Sequence, residues 1–374
     1  MSLSNIYHLG LKELKSLGAD KVLLLLICWA FSGAIYTAAT ASSQELHNAP
    51  IAVVDEDQSP LSRRIVGALY PPYFKPPQLI TLAELDRGMD LGTYSFTLVI
   101  PANFQRNVQA GRQPEMQLNI DATIMSQAFI GATYIKSIAL GEVNEYVTGT
   151  RASSEMPIRL APRVLYNPNL TGVWFGGVME VINNVTMLTV VLVGAAFIRE
   201  REHGTIEHLL VMPLTPFEIM MAKIWANGLA VLLGVTFALS VMVKVILQVP
   251  IVGSLPLFLA TAVVYLFAAA SIGIFLGTLA RSMPQLGLLM ILCIIPLMML
   301  SGGVTPRESM PEIIQNIMLA APTTYFVRMA QAILYRGAGF DVIWRDLLAM
   351  MAVGGCFFAI ALLRFRKAVT QTQG

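Results

Sequence analysis

The sequence predicts a membrane α-helical protein of six transmembrane helices, with a large external α/β domain inserted between the first and second spans. Three observations lead there. The 374-residue chain is 55% hydrophobic and only 13% charged, with a positive mean hydropathy of +0.64, far more apolar than a soluble protein of this size. Apolar runs near the ~20 residues that a bilayer core requires recur along the chain. Between the first two runs, over residues 41–170, the composition turns mixed, with Pro-rich turns and alternating strand and helix patterns.

Residues 1–21 place Ile6, Leu9, Leu14 and Leu17 near helical spacing, with Lys12, Glu13 and Lys15 between them. This predicts an amphipathic cytoplasmic helix on the inner membrane surface. Residues 22–40 are the first span. Ala39-Thr40-Ala41 resembles a signal-peptidase site, but the apolar run exceeds the ~7–15 residues of a signal core, so an uncleaved anchor is expected. Within 41–170, strands are predicted at 51–55, 94–101 and 115–122. Helices are predicted at 59–70, 102–110 and 125–147, with a strand end and a helix over 79–90. Pro71, Pro72, Pro76 and Pro77 forbid regular structure before that strand end. Strands alternating with helices imply a mainly parallel sheet. Asp55, Glu56 and Asp57 follow the first strand directly and read as capping carboxylates at a strand-to-helix turn, ahead of acid–base or metal work.

The five further spans are 173–198, 217–247, 255–279, 283–300 and 343–363. Lys12, Lys15 and Lys21, then Arg199, Arg201 and Lys223, then Arg281, then Arg364, Arg366 and Lys367 all fall on one side of this arrangement. That side is therefore cytoplasmic, together with both termini and the 364–374 tail, and the α/β domain is external. In a Gram-negative cell it is periplasmic. Residues 301–342 carry two S/T-x-x-E boxes, Thr305 with Glu308 and Ser309 with Glu312. They predict two short external helices broken at Pro322, partly re-entrant because Ile313, Ile317, Met318, Phe326, Met329 and Ile333 are too apolar for a free loop.

The densest local signals lie in IREREHGTIEHLLVMPLTPFEIMMAK, residues 198–223. Arg199 to Glu202 alternate in sign, Gly204 and Thr205 open a short helix, and Pro213 ends it. Thr215, Pro216 and Glu218 then form a capping box that starts the next span. Ser282 and Gln285, with Pro284 in the first turn, repeat this logic at the other cytoplasmic turn.

No G-x-x-x-x-G-K-[ST] run, G-x-S-x-G or H-E-x-x-H is present, which excludes the common nucleotide-hydrolysing and hydrolase chemistries for these residues. The four histidines show no metal-ligand spacing. The three cysteines, Cys28, Cys293 and Cys356, fall in apolar runs and read as small buried hydrophobes. No metal site, no bound cofactor and no nucleic-acid partner is expected. Polar residues inside spans are more informative. Glu180, Asn183, Asn184 and Thr186 occupy the outer half of the second span, and Lys244 lies near the outer end of the third. They read as a substrate-lining cluster, as a Glu180–Lys244 structural pair, or as snorkelling groups. Met298 and Met299 read either as a permissive apolar path or as packing.

With these features in hand, the chain resembles the ABC-2 type permeases, the membrane subunits of bacterial ABC exporters, in particular their drug-exporter-like branch. The resemblance covers nearly the whole length. It rests on IAVVDEDQSPLSRRI (51–65), FTLVIPANFQRNVQAGR (96–112), IDATIMSQA (120–128) and above all REREHGTIEHLLVMPLTPFEIMMAK (199–223). The family pattern E-R-E-x-G-T-x-E-x-L-x-x-x-P is met by Glu200, Arg201, Glu202, Gly204, Thr205, Glu207, Leu209 and Pro213. The resemblance implies that 199–216 holds a coupling helix seated in a groove of a separate cytoplasmic ABC ATPase subunit, which would supply ATP and magnesium. It also implies a second permease copy, identical or a sister chain, with the second and fifth spans along the path, and a periplasmic adaptor as a further partner beside membrane lipid. LSGGV (300–304) looks like an ATPase signature loop, but it ends an apolar span with no P-loop upstream and reads as a glycine break. An ion-gradient-driven transporter and a membrane-anchored receptor or assembly protein are the rival readings.

Overall fold

The computed structural model describes residues 2–41, 46, 48–121, 125–149, 172–202 and 214–372. Their contacts divide the chain into two units, Met1–Ser42 with Val173–Gly374, and Ser43–Gly172.

The amphipathic pattern at the N-terminus forms α1 (Leu3–Ala19). Asp20 then breaks the helix and starts the next, its carboxylate accepting from the amides of Val22 and Leu23 at 3.2 Å. The first apolar run is divided into α2 (Lys21–Ala30) and α3 (Gly33–Ala41), with a turn at Phe31 and Ser32.

In the second unit, β1 (Ile51–Asp55) lies at the centre of a four-stranded sheet with order β2-β1-β3-β4. It pairs in parallel with β2 (Gln78–Leu79) and β3 (Phe96–Ile100). β4 (Gln117–Ile120) adds antiparallel to β3, so the sheet is mainly parallel with one reversed edge. The helices are α4 (Pro60–Ala68), α5 (Leu82–Asp90), α6 (Phe104–Gln109) and α7 (Met125–Thr148). Ile51, Val53, Leu61, Ile65, Phe96 and Leu98 are buried in one apolar core between sheet and helices.

The first unit resumes with α8 (Gly172–Glu202), 31 residues and about 46 Å long. α9 (Pro216–Phe237) continues into π-helical turns over Ala238–Ile246. α10 (Leu255–Leu279) and α11 (Met283–Met299) follow, then a 3-10 turn at Arg307–Ser309, α12 (Glu312–Met318), α13 (Pro322–Leu334) and α14 (Phe340–Thr372). Five segments are long and apolar enough to cross a membrane: Lys21–Thr40, Gly172–Glu200, Pro216–Ile246, Leu255–Leu279 and Phe340–Lys367. The span expected at 283–300 is the 17-residue α11, about 26 Å against a bilayer core of ~30 Å. α12 and α13 bend by 89° and pass the same test only when taken together as one broken span.

α8 and α10 are the most buried of the five. Small residues let their backbones meet: a Cβ added at Gly273 would lie 2.7 Å from the carbonyl oxygen of Val190, and one at Gly194 would lie 3.1 Å from that of Gly273. The hydroxyls of Thr186 and Tyr265 meet at 2.7 Å between the same helices.

The capping box expected at Ser309 and Glu312 does not form, and the Glu308 side chain of the box expected with Thr305 lies outside the described residues. Pro306 and Pro311 take the N-cap positions of the 3-10 turn and of α12, with no side-chain cap, which leaves Glu312 at the first helical position where a box needs it at the third. The glycine break at 300–304 is as expected: α11 ends at Met299 and Gly302 takes φ +95.

Candidate functional site

Gly204, Thr205, Glu207, Leu209 and Pro213, with His203 and His208, lie outside the described residues. The structure does describe the two stalks that carry this segment, the end of α8 and the start of α9.

The second stalk begins at the predicted capping box. The Thr215 amide donates to Glu218 Oε2 at 2.8 Å, the Glu218 amide donates to Thr215 Oγ1 at 3.3 Å, and Pro216 takes the first turn. The other oxygen of Glu218 accepts from the Ser2 amide at 2.7 Å, which brings the start of α1 to the start of α9. Farther along, Trp225 Nε1 donates to the Ile6 carbonyl at 3.0 Å and its ring stacks on Tyr7. Gly10 leaves room for that indole, since a Cβ there would fall 2.1 Å from it.

Lys223 sits two turns into α9 and is 1% exposed. Its ammonium has three N–H groups and three acceptors: Glu13 Oε1 at 2.8 Å from α1, Glu200 Oε2 at 2.8 Å from α8, and the Ala196 carbonyl at 3.1 Å. Lys12 approaches Glu200 at 4.0 Å, which balances two cations against two carboxylates. Removing one partner from a buried pair of this kind costs about 3–5 kcal/mol, because the remaining charge stays unpaired away from water. Beside the cluster is a cavity of about 250 Å³, lined in part by Lys12, Glu13, Ser16, Arg199, Glu200 and Asn227. Arg199 pairs with Asp20 at 3.4 Å.

Glu200, Arg201 and Glu202 thus occupy the last turn of α8, and the first of them points inward. Glu202 is exposed, and its carboxylate accepts from the Met283 amide at 2.7 Å, capping α11. At that cap Ser282 Oγ accepts from the Gln285 amide at 3.5 Å, while the Gln285 side chain accepts from Arg281 instead of Ser282. The sequence pattern marks Glu13 only as a polar position of the amphipathic helix and Lys223 only as a flanking charge. Its position inside the predicted span 217–247 was the available signal.

The intramembrane polar residues separate. Asn184 is buried and donates to the Ala30 carbonyl at 2.7 Å, at the break between α2 and α3. Asn183 is buried on the same helix, and Glu180 is half-buried. Lys244 is exposed, and no ion pair joins it to Glu180 among the described residues, so the structural pair is not formed. Met298 packs against the core, whereas Met299 is 52% exposed. The cysteines correct the expectation of burial: Cys28 and Cys356 are exposed on their apolar helices and Cys293 is intermediate.

In the sheet unit, the carboxylates after β1 act as caps. Asp55 accepts from the amides of Asp57 at 3.2 Å and Gln58 at 2.9 Å, and from the Ser62 hydroxyl at 2.8 Å. Asp57 accepts from the Gln105 amide at 3.0 Å in α6. Among the described residues no group of three or more His, Cys, Asp or Glu is placed to hold a metal ion.

Comparison with known proteins gives the family. The family described as "ABC-2 family transporter protein" matches residues 22–363. The chain is 59% identical over 367 residues, 98% of both chains, to the inner membrane transport permease YhhJ of Escherichia coli (strain K12). It is 28% identical over 340 residues to the probable multidrug ABC transporter permease YbhR of the same organism, covering 88% of this chain and 89% of the relative. It is also 24% identical over 288 residues, 76% of both chains, to the probable multidrug ABC transporter permease YbhS. A match over residues 22–363, a range that spans the apolar helices and the sheet unit alike, settles the kinship: the chain belongs to the ABC-2 family of transporter proteins.

Proposed function

We propose that this chain is the permease subunit of an ATP-binding cassette exporter of the inner membrane, moving substrate outward when a separate cytoplasmic ABC ATPase pushes on residues 199–216. The observation that carries the reading is the segment itself. A chain of a transporter family with no P-loop of its own carries a charged, capped stretch, Glu200 to Pro213, on the side that the basic residues mark as cytoplasmic. The family pattern in Glu200, Arg201, Glu202, Gly204, Thr205, Glu207, Leu209 and Pro213 supports an ATPase contact there. ATPase states must bind this segment differently, since only differential contacts can shift an inward-open to outward-open equilibrium.

Six spans with the α/β domain outside, cytoplasmic termini and a second permease copy complete the reading. Glu180, Asn183, Asn184, Met298 and Met299 are the proposed path residues, with Asn184 serving mainly to brace the break in the first span. Drugs or lipophilic compounds are the proposed substrate class, the drugs supported by the description of YbhR and YbhS as probable multidrug permeases. A periplasmic adaptor is the proposed partner of the outer domain.

Gentle solubilisation followed by mass spectrometry tests the core of this reading: a Walker-motif ATPase should co-purify. Glu202→Lys and Gly204→Pro should abolish export at normal expression and insertion. Normal export by both variants, or export stopped by collapse of the ion gradient with no ATPase bound, sinks it.

A further inference from the structure

The cluster around Lys223 carries an inference that rests on the coupling reading and deepens it. We propose that Lys223 is a positioning residue that clamps the N-terminal helix α1 to both stalks of the 203–213 segment, making α1 a working part of the coupling assembly and more than a membrane-surface anchor.

The geometry assigns each arm to a different stretch of chain. Glu200 stands just before the segment, Lys223 just after it, and Glu13 belongs to α1, yet one ammonium at 1% exposure reaches both carboxylates at 2.8 Å. Separating either carboxylate takes a charge partner from an ammonium that is held away from water, so the three stretches shift together or the cluster breaks. Contacts of Ser2 with Glu218, and of Ile6 and Tyr7 with Trp225, hold α1 along α9 but do not involve α8. The ionic cluster adds α8, and Arg199 with Asp20 repeats the link at the other end of α1. A displacement of either stalk is thereby passed to α1 and to the helix α2 that follows it.

The test uses the full-length protein in nanodiscs, with Cys28, Cys293 and Cys356 replaced by Ser. Cysteines placed at Ser16 and Ala196, which line the same cavity, are joined by a short bis-maleimide. In Lys223→Met the crosslink yield should fall about tenfold, because the buried anchor of α1 to α8 is gone. The double variant Glu13→Lys with Lys223→Glu again places one cation between two carboxylates. It should restore the yield to within about twofold, a rescue that no loss of packing would predict. Should Lys223→Met fail to insert, Glu13→Gln carries the same test, since it removes the charge of the α1 arm alone. ATP-dependent export in cells should follow crosslink yield across the series. An unchanged crosslink in Lys223→Met or Glu13→Gln, a swap no better than the single variant, or full export with the crosslink lost each overturns the proposal. The crosslink needs no ATPase, so its failure is distinct from failure of the coupling reading, which the co-purification reads.

Discussion

The α carbon of Gly273 faces the carbonyl oxygen of Val190 so closely that a Cβ there would stand 2.7 Å from it, which makes the crossing of α8 and α10 a contact of backbone on backbone. Neither helix can retreat easily, because both are packed on their other faces by the main apolar core. Gly273→Leu should therefore lower stability by about 1–3 kcal/mol or more, as overpacking does in a well-filled core. Thermal unfolding in detergent measures it. Gly67→Ala, within α4 where an added Cβ would meet open space, is the control and should leave stability unchanged or raise it by about 0.5–1 kcal/mol.

Thr186 and Tyr265 predict an asymmetry. Tyr265→Phe leaves the Thr186 hydroxyl with its second partner, the Ile182 carbonyl at 3.2 Å, and keeps the ring stacked on Phe326 at 4.0 Å. Thr186→Val strands a fully buried phenol. The first should cost about 1 kcal/mol and the second about 1–3 kcal/mol, with the double variant no worse than Thr186→Val alone. Equal losses in a double-mutant cycle would contradict this.

The capping box at Thr215 should be measurable by itself. Thr215→Ala removes the acceptor for the Glu218 amide and should cost about 1 kcal/mol. Hydrogen exchange should quicken at the first turn of α9 and leave α10 untouched.

Glu84 gives a pH dependence with a definite sign. Its carboxylate accepts from the amide and hydroxyl of Thr81 at 2.9 Å, and these bonds, the amide first, hold its pKa below the ordinary glutamate value. The stabilisation of the α5 cap is thus complete above the unfolded-state pKa and is lost as pH falls through the lowered folded-state value. Exchange at the first α5 amides, corrected for intrinsic rates, should differ between wild type and Glu84→Gln at neutral pH and converge in acid. A difference that persists unchanged in acid would refute the assignment.

Local structure was legible wherever the signal is local. Strand β1 covers the residues that the apolar run predicted, Ser59 accepts from the Ser62 amide at 3.1 Å to start α4, and the Thr215 box forms as read. Caps and strand runs involve residues a few positions apart, so the chain carries their whole geometry in its order. The same logic failed at Ser309 and Glu312, where Pro311, two residues after Ser309, takes the cap position and shifts the helix start past the box.

The sequence by itself therefore determined which segments are apolar helices, where most of them start, and that a mixed α/β stretch interrupts them. Only the tertiary structure decided that Lys223 spends its three protons on Glu13, Glu200 and Ala196, that Asn184 braces Ala30, and that α8 and α10 meet at glycine. Glu13 and Lys223 are 210 positions apart. Nothing in the periodicity of either helix encodes a partner at that distance, because helical period specifies which face is apolar and leaves open which helix will cover it.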